Sequence, residues 1–288
     1  MDILNNIKQL AKHLIPAKII LQYRISKMVG YRIDIKKPRT FNEKIQWLKL
    51  NRRSDLYTRC ADKVEVRDFI AQKIGDEYLI PIHAVYNSSN DICTEELPHS
   101  FALKAAHGSG WNIICHNKNE LDLNSFNKKV KKWGKTNYYW IGYEYAYKNI
   151  PKRFICEELI LDGRGRSPID YKFFCFNGEP HYIQIDVDRF SNHKRALFNT
   201  KWERQDFSLG YPIYNGHLEI PDNLEKMLNI CKILSENIEF VRVDLYNVNG
   251  KIYFGEMTFY PGEGTERFSD KKWDNRFGDL LKIKSLSM

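Results

Sequence analysis

Hydrophobic and polar positions alternate with period two over several short stretches, and this alternation places most of the strands. The clearest case is Phe240–Thr258, FVRVDLYNVNGKIYFGEMT. Val241, Val243 and Leu245 alternate with Arg242, Asp244 and Tyr246, which predicts a strand with one apolar and one polar face. A turn over Asn247–Gly250, with the Asn-Gly pair that hairpins favour, leads into a second alternating strand, Lys251–Met257, carrying Glu256. Antiparallel pairing across that turn can bring Asp244 beside Glu256. Strands are also expected at Phe101–Ala105 and Trp111–Cys115, around the small-residue loop His107-Gly108-Ser109-Gly110. DYKFFCFNGEPHYIQIDVD (170–188) reads as two strands about Asn177-Gly178, with Lys172 inside the first. In RFICEELILDGRG (153–165) an apolar strand runs into the pair Glu157-Glu158.

Helical spacing accounts for most of the remainder. Leu4, Ile7, Leu10, Ala11 and Leu14 recur on one face with Lys8 and Lys12 between them, and Pro16 ends the segment. Such a helix could pack on the body or lie on an anionic membrane surface. Phe41–Asn51 follows Thr40, an N-cap whose capping box Glu43 completes. Another helix falls within 61–82, followed by YLIPI (78–82) as a short buried strand, and 87–99 reads as a polar loop. Residues 122–149 give two helices, the second of which (Asn137–Lys148) is crowded with aromatics and reads as a core element. A last helix is expected over 222–237.

Composition narrows the classes. The 288 residues suffice for one large domain or two modest ones, and 43% hydrophobic with 28% charged residues describes a soluble globular chain. No apolar run approaches the ~20 residues of a membrane span, and the start of the chain lacks the form of a secretory signal. Six cysteines, Cys60, Cys93, Cys115, Cys156, Cys175 and Cys231, are scattered singly, which fits reduced thiols in the cytoplasm and gives no zinc motif. The net charge of +9 suits an anionic partner. The basic residues are spread along the chain and no nucleic-acid motif is present, so no nucleic acid is expected.

The candidate chemistry sits at strand ends and loops. Two adjacent carboxylates repel unless a cation lies between them, and Mg2+ takes a few protein oxygens with phosphate and water completing its shell. Asp244 and Glu256 thus read as a metal shelf or, equally, as solvated acids. Small residues over Gly108–Gly110 would let backbone N–H groups approach phosphate, with Lys104 as a point charge just before them; a plain turn is the alternative. Lys172, between Tyr171 and Phe173, would need an anion if its face is buried.

Taken in order, these parts resemble the ATP-grasp superfamily, most closely its teichuronopeptide-type (TupA-like) branch from surface-polysaccharide gene sets. The residues carrying the resemblance are KPRTFNEKIQWLK (37–49), ADKVEVRDFI (61–70), FALKAAHGSG (101–110), EELI (157–160), DYKFFCFNG (170–178) and VRVDLY…GEMTFYPG (241–262). The resemblance implies an α+β fold in which two α+β subdomains clamp ATP, with a helical N-terminal extension. The divisions then fall at 1–60 (helical segment), 61–99 (lead-in), 100–156 (N-subdomain) and 157–288 (C-subdomain with the metal site). It also implies roles: Lys104 on the α- and β-phosphates, His107, Gly108, Ser109 and Gly110 as the flap, and Glu157, Glu158 and Leu159 as the adenine hinge. Lys172 would stand near the nucleotide, and Arg242 would steady the acyl-phosphate. Asp244, Glu256 and Thr258 would hold Mg2+, with Thr258 where the family's usual third ligand is Asn. Pro261-Gly262-Glu263-Gly264 would face the substrate.

The implied reaction is ATP-dependent ligation of a carboxylate to an amine. The carboxylate would belong to an acidic sugar, a uronic acid of a surface polysaccharide or its precursor, and the amine to an amino acid or other amine. The protein would be cytoplasmic, or held at the inner face of the membrane. Arg189, Lys194 and Arg195 could meet the polyanion or form an ordinary basic loop. A glycosyltransferase is the alternative, with Asp186-Val187-Asp188 as its weak metal triplet, and a non-catalytic nucleotide-binding module is a second. His107, His181 and His193 could assist deprotonation of the amine. Asp244→Asn and Glu256→Gln are expected to abolish turnover without unfolding the chain.

Overall fold

The fold is built on two antiparallel sheets. It is described here from a computed structural model covering residues 15–189 and 191–284. The helix expected over Leu4–Leu14 lies outside the described residues. The smaller sheet has four strands in the order β1-β4-β2-β3, formed by β1 (Ile82–Tyr86), β2 (Phe101–Ala105), β3 (Asn112–Cys115) and β4 (Phe154–Glu157). The larger has five, in the order β7-β6-β5-β8-β9: β5 (Asp170–Phe176), β6 (Glu179–Val187), β7 (Lys194–Asn199), β8 (Phe240–Val248) and β9 (Lys251–Thr258).

Period two decides which way each strand faces. On β2, Phe101, Leu103 and Ala105 enter a core with Phe126, Val130 and Trp133 of the helix Leu123–Lys135. That leaves Ala102 and Lys104 on the opposite face. The helix starts at Asp122, whose carboxylate accepts from Ser125 N–H. On β8, Val241, Val243 and Leu245 point toward the helix Leu224–Ser235, and Phe240, Arg242, Asp244 and Tyr246 toward the other side. That second face is divided. At one end Phe174, Phe176 and Phe240 pack against Phe41 and Phe277, carried by the helices Phe41–Asn51 and Lys271–Leu280. At the other end the same face is open and polar.

The β8–β9 hairpin turns at Asn249-Gly250, both with positive φ (52° and 81°), so the two-residue turn that favours Asn-Gly is the one formed. The Asn177-Gly178 turn between β5 and β6 has the same signs. The Thr40 capping box is present: the hydroxyl accepts from Glu43 N–H, and the Glu43 carboxylate accepts from Thr40 N–H.

Two expectations change. YLIPI is not a strand: Pro81 has no N–H to give a ladder, and β1 begins only at Ile82. The helix expected within 61–82 is present as Val66–Ile74, followed by a single 3-10 turn, Asp76–Tyr78, and a separate helix, Asp55–Ala61, ends where that segment begins. The aromatic helix Asn137–Lys148 shrinks to single turns, Tyr139–Gly142 and Tyr145–Tyr147, because Tyr143 takes φ 55° and stops the first. Its aromatics are nonetheless core: Tyr138, Tyr143 and Tyr147 are buried. All six cysteines are free thiols, and no helix among the described residues is long and apolar enough to cross a membrane.

Candidate functional site

The open polar half of the five-stranded sheet forms the floor of a cleft of about 610 Å³. Register aligns its side chains. Gln184, Lys172, Asp244 and Glu256 lie in one row across β6, β5, β8 and β9, and Arg242 sits opposite Thr258 in the next step. Arg242 presents a fork to Asp244, Nε to Oδ1 at 2.7 Å and Nη2 to Oδ2 at 2.7 Å. The same Nη2 reaches Glu256 Oε1 at 3.3 Å and Thr258 Oγ1 at 3.2 Å, and the Thr258 hydroxyl donates to Glu256 Oε1 at 2.8 Å. Lys172, 3% exposed, donates to Asp170 and, at 2.9 Å, to Asp244 Oδ2. The buried lysine has its anions, and both come from the protein.

The roof comes from the smaller sheet and its flap. Lys104 points into the cleft with Nζ 2.5 Å from Glu157 Oε2, and Arg67 stands 3.7 Å from the other oxygen of Glu157. Ser109, Gly110, Trp111 and Asn112 line the opening. Gly108 passes so close to Trp111 that a Cβ there would lie 2.5 Å from the indole. His107 does not face the cleft. It is 2% exposed, and its ring nitrogens lie 3.3 Å and 2.9 Å from the carbonyls of Arg153 and Trp133. It is a structural anchor of the flap; burial holds its pKa below the ordinary histidine range.

A narrower recess of about 20 Å³ continues the cleft between Glu157, Leu79 and Val66 on one side and Phe254 and Met257 of β9 on the other. Beside it, Glu158 N–H is taken by Pro81 O at 2.9 Å. Leu159 N–H meets no backbone acceptor among the described residues.

At its other end the cleft reaches β6, β7 and the segment 262–266. Arg195, expected in a basic loop, is instead buried on β7. Its Nε donates to Asp186 Oδ1 at 2.7 Å and its Nη1 to Glu266 Oε1 at 2.9 Å. Asp186, of the Asp186-Val187-Asp188 triplet, thus carries a buried guanidinium, as Asp244 carries that of Arg242. His181 rests half-buried against Phe176, away from this cleft, whereas His193 lines it, its ring tilted 32° against Tyr211 with centroids 3.7 Å apart. The turn Pro261–Gly264 is pinned from below by the helix Phe41–Asn51: Gln46 Nε2 donates to the carbonyls of Glu263 and Gly264 (2.9 and 3.0 Å), Lys49 Nζ to Glu263 O (2.5 Å), and Asn42 Nδ2 to Glu266 O (3.0 Å).

Electrostatics separates the two shelf carboxylates. Burial drives Asp244 up to about 6 despite Arg242 and Lys172. Burial acts the same way on Glu256, but Lys63, Arg242 and Lys172 outweigh it and hold Glu256 down at about 2. Among the described residues no group of three or more acid, His or Cys side chains forms a closed metal cage. The donors present suit Mg2+ shared with phosphate, since Mg2+ commonly takes only one or two carboxylates from protein. Glu256 is the accessible member, with its side chain 33% exposed against 3% for Asp244.

Sequence reasoning missed Lys63 and Asp170. Lys63 lies in the gap between two helices, lines both the cleft and the recess, and donates to Gly108 O at 2.6 Å. Its only signal was its place in ADKVEVRDFI. Asp170 was legible in principle, because period two puts it on the same strand face as Lys172.

The solved structures that the chain is similar to include D-alanine–D-alanine ligase from Bacillus anthracis complexed with ATP (14% identity, TM-score 0.45, 79% of this chain and 66% of that one). The ADP complex of purK, N5-carboxyaminoimidazole ribonucleotide synthetase, is similar at 12% identity and TM-score 0.44, over 75% of this chain and 50% of that one. D-Alanine–D-alanine ligase from Helicobacter pylori is similar at 14% identity and TM-score 0.43, over 84% and 69%. The chain thus spans about half to two thirds of the length of these structures. No curated protein matches it significantly. The family described as TupA-like ATPgrasp matches residues 43–282, which takes in both sheets and every residue of the cleft floor. By that match the chain belongs to the TupA-like ATP-grasp family.

Proposed function

We propose that this chain is an ADP-forming, ATP-dependent carboxylate–amine ligase. The observation that carries the reading is the floor row Lys172–Asp244–Glu256, with Arg242 beside it, set across a cleft from Lys104 and Lys63. Cations and carboxylates without a side-chain nucleophile suit phosphoryl transfer, which needs positioning and charge neutralisation more than covalent help.

In this reading the hinge Glu157–Leu159 borders adenine, and the recess of about 20 Å³ beside Glu157, the room of about one water, widens to admit the base. Lys104 and Lys63 take the phosphates under the Ser109–Gly110 flap, and Lys172 stands near the nucleotide. Asp244 and Glu256 would hold Mg2+, with Thr258 fixing the Glu256 carboxylate. When bound, Mg2+ neutralises charge on the phosphate oxygens. A substrate carboxylate oxygen attacks the γ-phosphorus, the bond to the bridging oxygen breaks, and ADP leaves. Arg242 steadies the acyl-phosphate. The amine nitrogen then attacks the acyl carbon, loses a proton, and phosphate departs with the electrons of the C–O bond.

The carboxylate is proposed to be that of a uronic acid in a capsular or O-antigen polysaccharide or its precursor, and the amine an amino acid or similar. The +9 charge and the family's teichuronopeptide context support this. The same reading puts the protein in the cytoplasm, at or near the inner face of the membrane. The test is ADP release from Mg-ATP with glucuronate and a panel of amino acids. Dependence on both carboxylate and amine is expected. Release of UDP from UDP-glucuronate with no ADP from ATP would replace the ligase by a glycosyltransferase.

A further inference from the structure

Two acceptor atoms in the cleft wall have no donor. Gln184, 1% exposed, points its amide nitrogen at Asp186, 3.2 and 3.1 Å from the two carboxylate oxygens. A carboxylate only accepts, so the amide orientation is fixed and Gln184 Oε1 faces the other way. Among the described residues Oε1 has no hydrogen-bond partner, although Gln184 lines the cleft. Asp170 behaves alike: Oδ2 takes Lys172 and lies 3.7 Å from Arg189, while Oδ1 is buried and unpartnered. Buried polar atoms are nearly always paired, so an exception calls for a reason.

The two sit on neighbouring strands. Lys172 is opposite Gln184, so Asp170 and Gln184 are diagonal neighbours on one face. Asp170 is two residues from Lys172 on the same strand, and Gln184 lies one strand from Lys172 and two from Asp244, about 10 Å from the latter at the ordinary strand spacing. The charges around them are already matched: Lys172 and Arg189 face Asp170, Arg195 binds Asp186 and Glu266, and Arg24 binds Glu263. What is left over is two acceptors without donors, which select a ligand that brings N–H groups.

Resting on the ligase reading above, we infer that Gln184 Oε1 and Asp170 Oδ1 form the subsite for the amine co-substrate, binding it as a primary ammonium. The ammonium N–H groups meet both orphan oxygens. From there the nitrogen, once deprotonated, faces the acyl carbon held near Arg242. Acceptor choice would thus be set on β5 and β6, not by the flap or the metal shelf.

The test uses the full chain loaded with AMP-PNP and Mg2+, with the Gln184 side-chain amide followed by NMR. Methylammonium chloride is the probe, and tetramethylammonium chloride, a cation with no N–H, the control. Methylammonium is expected to shift the Gln184 signal saturably below 200 mM, and the control is expected not to. Equal shifts from both salts, or none from either, would overturn the subsite. Gln184→Met should weaken methylammonium at least tenfold while leaving AMP-PNP affinity within twofold; if that variant does not fold, the two wild-type titrations decide alone. Failure of AMP-PNP to bind at all would instead strike the nucleotide reading, so the two failures are distinguishable.

Discussion

Lys172 Nζ lies 2.9 Å from Asp244 Oδ2 on the neighbouring strand, and both side chains are almost wholly excluded from solvent. Each holds the other's charge in a place where neither would be tolerated alone.

This pairing alters what substitution at Asp244 does. Asp244→Asn leaves Arg242 and Lys172 with one carboxylate fewer, and breaking a buried pair costs about 3–5 kcal/mol. The variant is expected to lose turnover and also a large part of its stability, read as a lowered urea midpoint. Glu256→Gln, at a partly open position, is expected to lose turnover with the smaller loss of stability of the two. Equal stability losses in both variants would contradict the arrangement.

Lys63 is expected to matter for nucleotide binding as much as Lys104. A hydrogen bond to a charged group contributes about 1.5–3 kcal/mol. Lys104→Met and Lys63→Met should each weaken Mg-AMP-PNP by about 10- to 100-fold in calorimetry. An unchanged affinity in Lys63→Met would confine that residue to holding Gly108 O.

Gly108→Ala should act by crowding. Its Cβ would meet the Trp111 ring at 2.5 Å, and Trp111 is itself stacked on Trp133. Overpacking of this kind costs about 1–3 kcal/mol. A lower Tm together with weaker nucleotide binding is expected, and a wild-type Tm would show that the flap yields freely.

Asp186 supplies a pH dependence. Burial would raise its pKa, but Arg195, Lys172 and His193 together hold it below the usual aspartate range. A depressed folded-state pKa stabilises above the unfolded value, about 3.9, and that contribution is lost as pH falls toward the folded value. The stability gap between wild type and Arg195→Gln should therefore be full at pH 6 and shrink steadily below about pH 4. A gap independent of pH would remove Asp186 from the account.

The strands were legible because period two is a local property. The Asn249-Gly250 turn sets Val248 opposite Lys251, a register that alone would put Gly255 opposite Asp244; a bulge between the Leu245 and Asp244 pairs brings Glu256 there instead, and Gly255 inside the strand is its only local sign. What stayed hidden depends on contacts between distant segments. Nothing near Lys63 in sequence reveals that it reaches Gly108, and Arg195 looked like a loop cation because its partners, Asp186 and Glu266, come from β6 and from a turn seventy-one residues on. The aromatic segment 137–148 misled for the opposite reason: its composition spoke for burial, which holds, but not for helix, which the left-handed Tyr143 interrupts.

The grip of Asn42, Gln46 and Lys49 on segment 263–266 joins two parts of the chain more than two hundred residues apart. One of these parts reads as an appendage and the other as the acceptor side of the cleft. Evolution cannot then alter them separately. A graft of the 261–266 turn from a relative should misplace its carbonyls unless the donor's counterpart of the helix Phe41–Asn51 travels with it, and the two segments should behave in chimeras as a single heritable cassette.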